Sequence, residues 1–229
     1  SYISSTILEG SNNNLSSPNM PVVIFENNET VNTKLIGFTI ANGLVKNSIW
    51  PYYNGGGIHC RSASPTLQNL IIKDCEAENG AGIYLSGSNA ILQNIIVKDN
   101  SVSVGGGGGI ECRSSSVNFI NIRIYNNEAG NGTAINLGSS SDAVFTNCIF
   151  SDNNAWEITF PFGAAVCMTE SSTAEFINSN IINNIGGGVY VSENSILNVT
   201  NSIIAYNSGN SGIYKNSGTI SIYNSNIFA

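Results

Sequence analysis

The amino-acid sequence predicts an all-β fold, a single parallel β-helix (solenoid) of about eight turns with three short strands per turn. Three observations predict it. Ile58 returns as Ile83, Ile110, Ile135, Val166, Val189 and Ile213, at spacings of 25, 27, 25, 31, 23 and 24 residues. Asn69 returns with it as Asn94, Asn121, Asn147, Asn178, Asn201 and Asn224. Between these marks lie short runs rich in Ile and Val, parted by Gly, Asn and Ser, with no helical periodicity over ten residues. A period in the twenties that persists to the last residues is the signature of stacked repeats.

Taken in order, residues 1–21 read as an entry or cap segment. Thr6 to Gly10 form a short strand and turn, and a polar stretch from Ser11 to Pro21 follows. Residues 22–42 read as a degenerate first turn, with Gly37 standing where Asn69 stands one turn later. Residues 56–229 are the regular repeats. The whole of 1–229 is one domain, expected to be part of a longer chain or assembly.

Alternation within each run assigns the faces. In the first strand the Ile58 column points inward. So does Cys60, Leu85, Cys112, Leu137, Met168, Val191, Lys215, whose last member breaks an apolar series. A lysine is rarely buried unpaired, so either that end is exposed or covered by something further, or the register slips there. The second strand stacks Leu67, Leu92, Phe119, Phe145, Phe176, Val199 and Ile222, and the third Ile72, Val97, Ile124, Phe150, Ile181, Ile204 and Ile227. The Asn69 column marks the corner between strands two and three. A second column, Asn100, Asn127, Asn153, Asn184 and Asn207, follows six residues after the first, with Cys75 as the exception. Both read as asparagine ladders whose amides satisfy backbone groups at the corners.

Composition narrows the function classes. Only 10% of residues are charged while 41% are hydrophobic, which argues against disorder. A net charge of −7 and a pI near 4.5 argue against nucleic acid as a partner. No run approaches the ~20 apolar residues of a membrane span, and Ser1-Tyr2-Ile3-Ser4 lacks the basic and apolar regions of a signal peptide. Five cysteines are an odd number with no metal-ligand spacing, so buried thiols are expected, with a disulfide or a reactive thiol as the alternative.

At this point the chain resembles the right-handed parallel β-helix repeat proteins of bacterial cell surfaces. Gly55-Gly56-Gly57-Ile58, Gly106-Gly107-Gly108-Gly109-Ile110 and Gly186-Gly187-Gly188-Val189 are similar to the GG[x]I motif of chlamydial polymorphic outer-membrane protein repeats. Phe119-Ile120-Asn121, Phe145-Thr146-Asn147 and Phe176-Ile177-Asn178 are similar to that family's Phe-x-x-Asn, one residue shorter. The stretch from Ile36 to Gly43, followed by the glycine run and Ser64-Pro65-Thr66-Leu67, resembles the opening of many secreted, pectate-lyase-like β-helices. The resemblance covers nearly the whole chain. It implies a right-handed coil placed outside the cell or on a bacterial surface, on a fold that serves lyases, hydrolases, tailspikes and adhesins alike.

Asp74, Asp99 and Asp152 occupy equivalent positions of three turns and are the one candidate set for a metal, with calcium the only cofactor suggested. Each of the first two follows a lysine, so a solvated strand end is the plainer reading. Beside Ile58 an outward row runs His59, Tyr84, Glu111, Asn136, Cys167, Tyr190, Tyr214. With Arg61 and Arg113 two residues on, His59 and Glu111 are the candidate catalytic set for an acidic or neutral sugar; the plainer reading is a mixed β surface with local ion pairs. The longest insertions, Leu44 to Asn54 and Asn154 to Gly163, hold Trp50, Tyr52, Tyr53, Trp156, Phe160 and Phe162. These are the candidate ligand-binding residues, and two readings stay open: platforms for a polysaccharide or cell-surface glycan, or loops folded back over the coil. The expected function is a non-catalytic extracellular module, a structural or adhesive scaffold that binds glycan. A polysaccharide lyase or glycoside hydrolase is the alternative, and end-to-end self-association into a filament through open β-edges is the third.

Overall fold

The computed structural model describes residues 6–10, 20–45, 52–156, 163–209 and 211–228. Every named element in them is a β-strand, and every strand pairing is parallel. The expected first strands form one eight-stranded sheet: Val23–Phe25, Ile58–Arg61, Ile83–Ser86, Ile110–Arg113, Ile135–Gly138, Val166–Met168, Val189–Val191 and Ile213–Lys215. Between Ile58 and Ile213 the chain makes six regular turns. The expected count of about eight is therefore corrected to about six, because the opening turn from Val23 to Ile58 is enlarged and irregular.

The second and third strands differ from expectation in an instructive way. They belong to one fourteen-stranded sheet, and in Thr66–Lys73, Ile91–Lys98 and Ser116–Tyr125 they run on as a single strand. The corner between them is held by one left-handed residue. Asn69, Asn94, Asn121, Asn147, Asn178, Asn201 and Asn224 all have positive φ, between 47° and 57°. Asparagine tolerates that left-handed conformation better than other side chains that carry a Cβ. Gly37 takes the equivalent place with φ 83°, as expected. One left-handed residue resets the alternation, so Leu67, Leu70 and Ile72 all point inward. A third, short sheet also appears, made of Glu76–Ala77, Ser101–Val102, Glu128–Ala129 and Asn154–Ala155. Ala77, Val102 and Ala129 pack with Val45 and Ala81 as a small second core beneath it.

The main core is continuous from Phe25 to Ile204. In register, Phe119, Phe145 and Phe176 stack face to face, with 4.6 Å between successive ring centroids. Phe150 meets Phe145 edge-on at 5.4 Å. Such ring geometries add to the gain from burial alone. Val191 pairs with Lys215 in register, so no slip occurs there, and Lys215 is exposed.

The two asparagine columns do different work. The second is buried: each backbone N–H donates to the Oδ1 one turn on, from Cys75 through Asn100, Asn127, Asn153 and Asn184 to Asn207, at 3.0–3.1 Å. Cys75, the exception in the sequence, is the ladder's first donor. The first column lies mostly at the surface, with Asn94 donating to Asn69 and Asn121 to Asn94. Its main contribution is conformational.

Two further ladders escaped the sequence reading. Ser88, Ser115, Ser141, Ser172 and Ser195 pass a hydrogen bond from each N–H to the next Oγ. Cys148, Ser179, Ser202 and Ser225 do the same from Cys148 onward.

Candidate functional site

The row beside the Ile58 column does point away from the main core, yet it is mostly covered, with Asn136 half-buried and the last member, Tyr214, exposed. His59 is 1% exposed, Tyr84 9%, Glu111 0%, Cys167 1% and Tyr190 2%. The expected open surface is corrected to a covered one, because the chain between successive rungs folds back over it. At its near end, His59 stacks on Tyr84 with centroids 5.3 Å apart and meets Tyr52 edge-on at 6.0 Å. His59 Nδ1–H donates to the Asn54 carbonyl at 3.0 Å, which leaves Nε2 as the bare nitrogen, buried and without a partner. Burial pushes this imidazole below its usual range, against the opposing hydrogen bond. The covering strap is pinned by Tyr52 Oη donating to Glu26 Oε1 at 2.9 Å and Asn79 Nδ2 donating to Asn54 Oδ1 at 2.8 Å. Arg61 lies 3.6 Å from Glu26.

Two rungs on, Glu111 Oε1 accepts from Arg113 Nε at 2.9 Å and Asn136 Nδ2 at 3.1 Å, while Oε2 is buried with no donor. Burial pushes its carboxyl up to about 7, against the pull of Arg113 and Asn136. His59 and Glu111 are separated by Tyr84, in register with both, which places them about 10 Å apart. A general acid–base pair must come within hydrogen-bond reach of its substrate. Here both groups are sealed and Tyr84 fills the space between them. Of the four catalytic candidates only Arg61 and Arg113 reach solvent, each with 40% of its side chain exposed.

Asp74, Asp99 and Asp152 share a column with Asn126, Asn183 and Tyr206, and all six have positive φ. The acids sit there because Asp and Asn accept the left-handed conformation at this third corner. Lys73 and Lys98 each pair with the following aspartate at 2.7 Å, and Asn126 Nδ2 donates to Asp99 Oδ1 at 3.2 Å. Among the described residues, no group of three or more His, Cys, Asp or Glu side chains converges as a metal site would require.

Of the aromatic insertion residues, Trp50, Phe160 and Phe162 lie outside the described residues. Tyr52 and Tyr53 are half-buried in the strap. Trp156 is 46% exposed, its ring laid against Gly130, where an added Cβ would stand 2.8 Å from Cζ2. So Tyr52 to Asn54, at the end of one insertion, lie over the coil, while Trp156, near the start of the other, leaves a tryptophan face open to solvent. The five cysteines are all free and buried. Burial pushes the thiols of Cys75 and Cys148 up to about 12 and the other three higher still.

Stacked parallel rungs around one apolar core, with polar ladders at the corners, define a parallel β-solenoid. The family model described as the right handed beta helix region matches residues 68–192 and 97–229, and the chain belongs to that family. Comparisons with curated proteins and with solved structures returned no match.

Proposed function

We propose that this chain is a non-catalytic extracellular scaffold: a rigid solenoid of the cell surface that binds glycan through side chains on its outer faces. The observation that carries this reading is the burial of the acid–base groups. His59 and Glu111 are sealed beneath backfolded chain, while Trp156 offers an open aromatic face of the kind that stacks on sugar rings. The ladders support the mechanical half of the reading, since each buried corner amide is tied to the next turn. Surface placement draws support from the glycine-rich motifs that resemble bacterial surface repeats.

A glycan array probed with the intact chain and with a Trp50→Ala/Trp156→Ala variant, with and without calcium, tests it. Binding that the double variant loses is the expected result. Full binding by the variant would remove the tryptophans from the reading, and none by the intact chain would remove the glycan role.

A further inference from the structure

Glu111 is a buried carboxyl whose geometry leaves it half satisfied. It lies in Ile110–Arg113, with its side chain on the outer side of the strand and 0% exposed. The glycine-bearing loops of two successive turns close over it. A Cβ at Gly80 would stand 2.9 Å from Glu111 Cβ, and one at Gly107 2.9 Å from Glu111 N. The cover is tied down by backbone bonds: Gly80 N–H to Gly106 O, Gly105 N–H to Glu78 O and Gly107 N–H to Asn131 O, each 3.0 Å, and Ala81 N–H to Gly107 O at 3.2 Å. At its tip Val104 is 73% exposed, so this loop stands out from the coil.

An ionised carboxylate wants donors on both oxygens, and burying one without them is costly. Oε1 has Arg113 and Asn136, and Oε2 has none. The other titratable groups around it offer no relief. Tyr84 faces it from the preceding rung, the Cys167 thiol stays protonated two rungs on, and Glu170 adds negative charge from the neighbouring corner. Water is the donor that an ionised Oε2 lacks, and with Glu111 0% exposed none reaches it from outside.

We propose that residues 103–109 form a proton-sensitive latch over Glu111, shut while the carboxyl holds its proton and loosened once it ionises. Opening uncovers Tyr84, Glu111 and Asn136 on an otherwise sealed face. The direction follows from linkage: the closed state raises this carboxyl's affinity for its proton, so closure is favoured in acid and lost as pH rises towards the closed-state value.

Native-state hydrogen exchange at Ala81, Gly105 and Gly107, corrected for intrinsic rates, reads the latch in the intact chain. In the native sequence the opening constant should rise about tenfold per pH unit between about pH 5 and pH 7, then level off. In Glu111→Gln it should be flat. An equal slope in the variant, or no slope in the native sequence, overturns the proposal. Should the variant fail to fold, the slope at these amides is compared in the native sequence with that at Phe145 and Phe176 in the core strands. A slope confined to the loop amides supports the latch, and one shared by the core amides overturns it.

Discussion

Replacing Asn153 by alanine should cost far more than replacing Asn121, although both are ladder asparagines. Asn153 is 0% exposed. Its Oδ1 accepts from Asn127 N and Nδ2, both at 3.0 Å, and its Nδ2 donates to Ile124 O, Ser151 O and Asn184 Oδ1 at 2.9–3.1 Å. Truncation leaves the Asn127 N–H buried without an acceptor, a loss of about 1–3 kcal/mol, and each further bond removed adds about 0.5–1.5 kcal/mol. Some of those partners keep a second bond, since Asn127 Nδ2 still reaches Val97 O and Tyr125 O. The total comes to about 4 kcal/mol, a large share of the 5–15 kcal/mol (about) that holds an ordinary domain folded. Asn121 is exposed, and its alanine variant loses one surface bond and meets the left-handed penalty of about 1–2 kcal/mol. Urea unfolding of both variants beside the native chain, compared by midpoint at constant slope, measures the difference. Equal midpoint shifts would refute the claim that the buried column carries the corner energetics.

Three other perturbations have definite outcomes. Phe145→Ala removes the ring between Phe119 and Phe176 and should destabilise by about 3–5 kcal/mol in the same unfolding assay; a shift under about 1 kcal/mol would mean that the stack collapses to fill the space. A thiol reagent at mildly alkaline pH should label none of the five cysteines in the folded chain and all of them in denaturant, because each thiol is buried and held protonated; rapid labelling of folded protein would contradict this. Gly130→Ala puts a methyl 2.8 Å from the Trp156 ring and should push the indole outward, seen as a red-shifted emission in a Trp50→Phe background. Unchanged emission would mean that the ring does not rest on Gly130.

The three apolar columns were legible because a strand's two-residue alternation and the turn period both had to hold at every rung. Lys215 was legible as a break for the same reason. What covers a row is not written in that alternation. His59 and Glu111 were correctly placed on the outer side of their strand, but the backfolding of the strap at Tyr52–Asn54 is a tertiary event with no period of its own. The serine ladders were hidden by composition: serine is common in every turn of this chain, so a column of five raised no contrast. The Asp74, Asp99 and Asp152 series was visible as a column, but its cause was not. Side-chain identity suggested a cation, whereas the backbone at those positions asks for a residue that accepts positive φ. The residue after each corner asparagine, Leu70 in the first regular turn, was left out of the core because a strict alternation carried through Asn69 puts it on the outside.

The most direct test of the functional account is a time course of the intact chain with a panel of neutral and acidic polysaccharides, with and without calcium, assayed for new chain ends. The expected result is bound polysaccharide that is never shortened, since His59 is buried and Glu111, even when uncovered, stands about 10 Å from it behind Tyr84. Cleavage above a denatured control would contradict it, and loss of that cleavage in Glu111→Gln would place the reaction on the face that the coil covers.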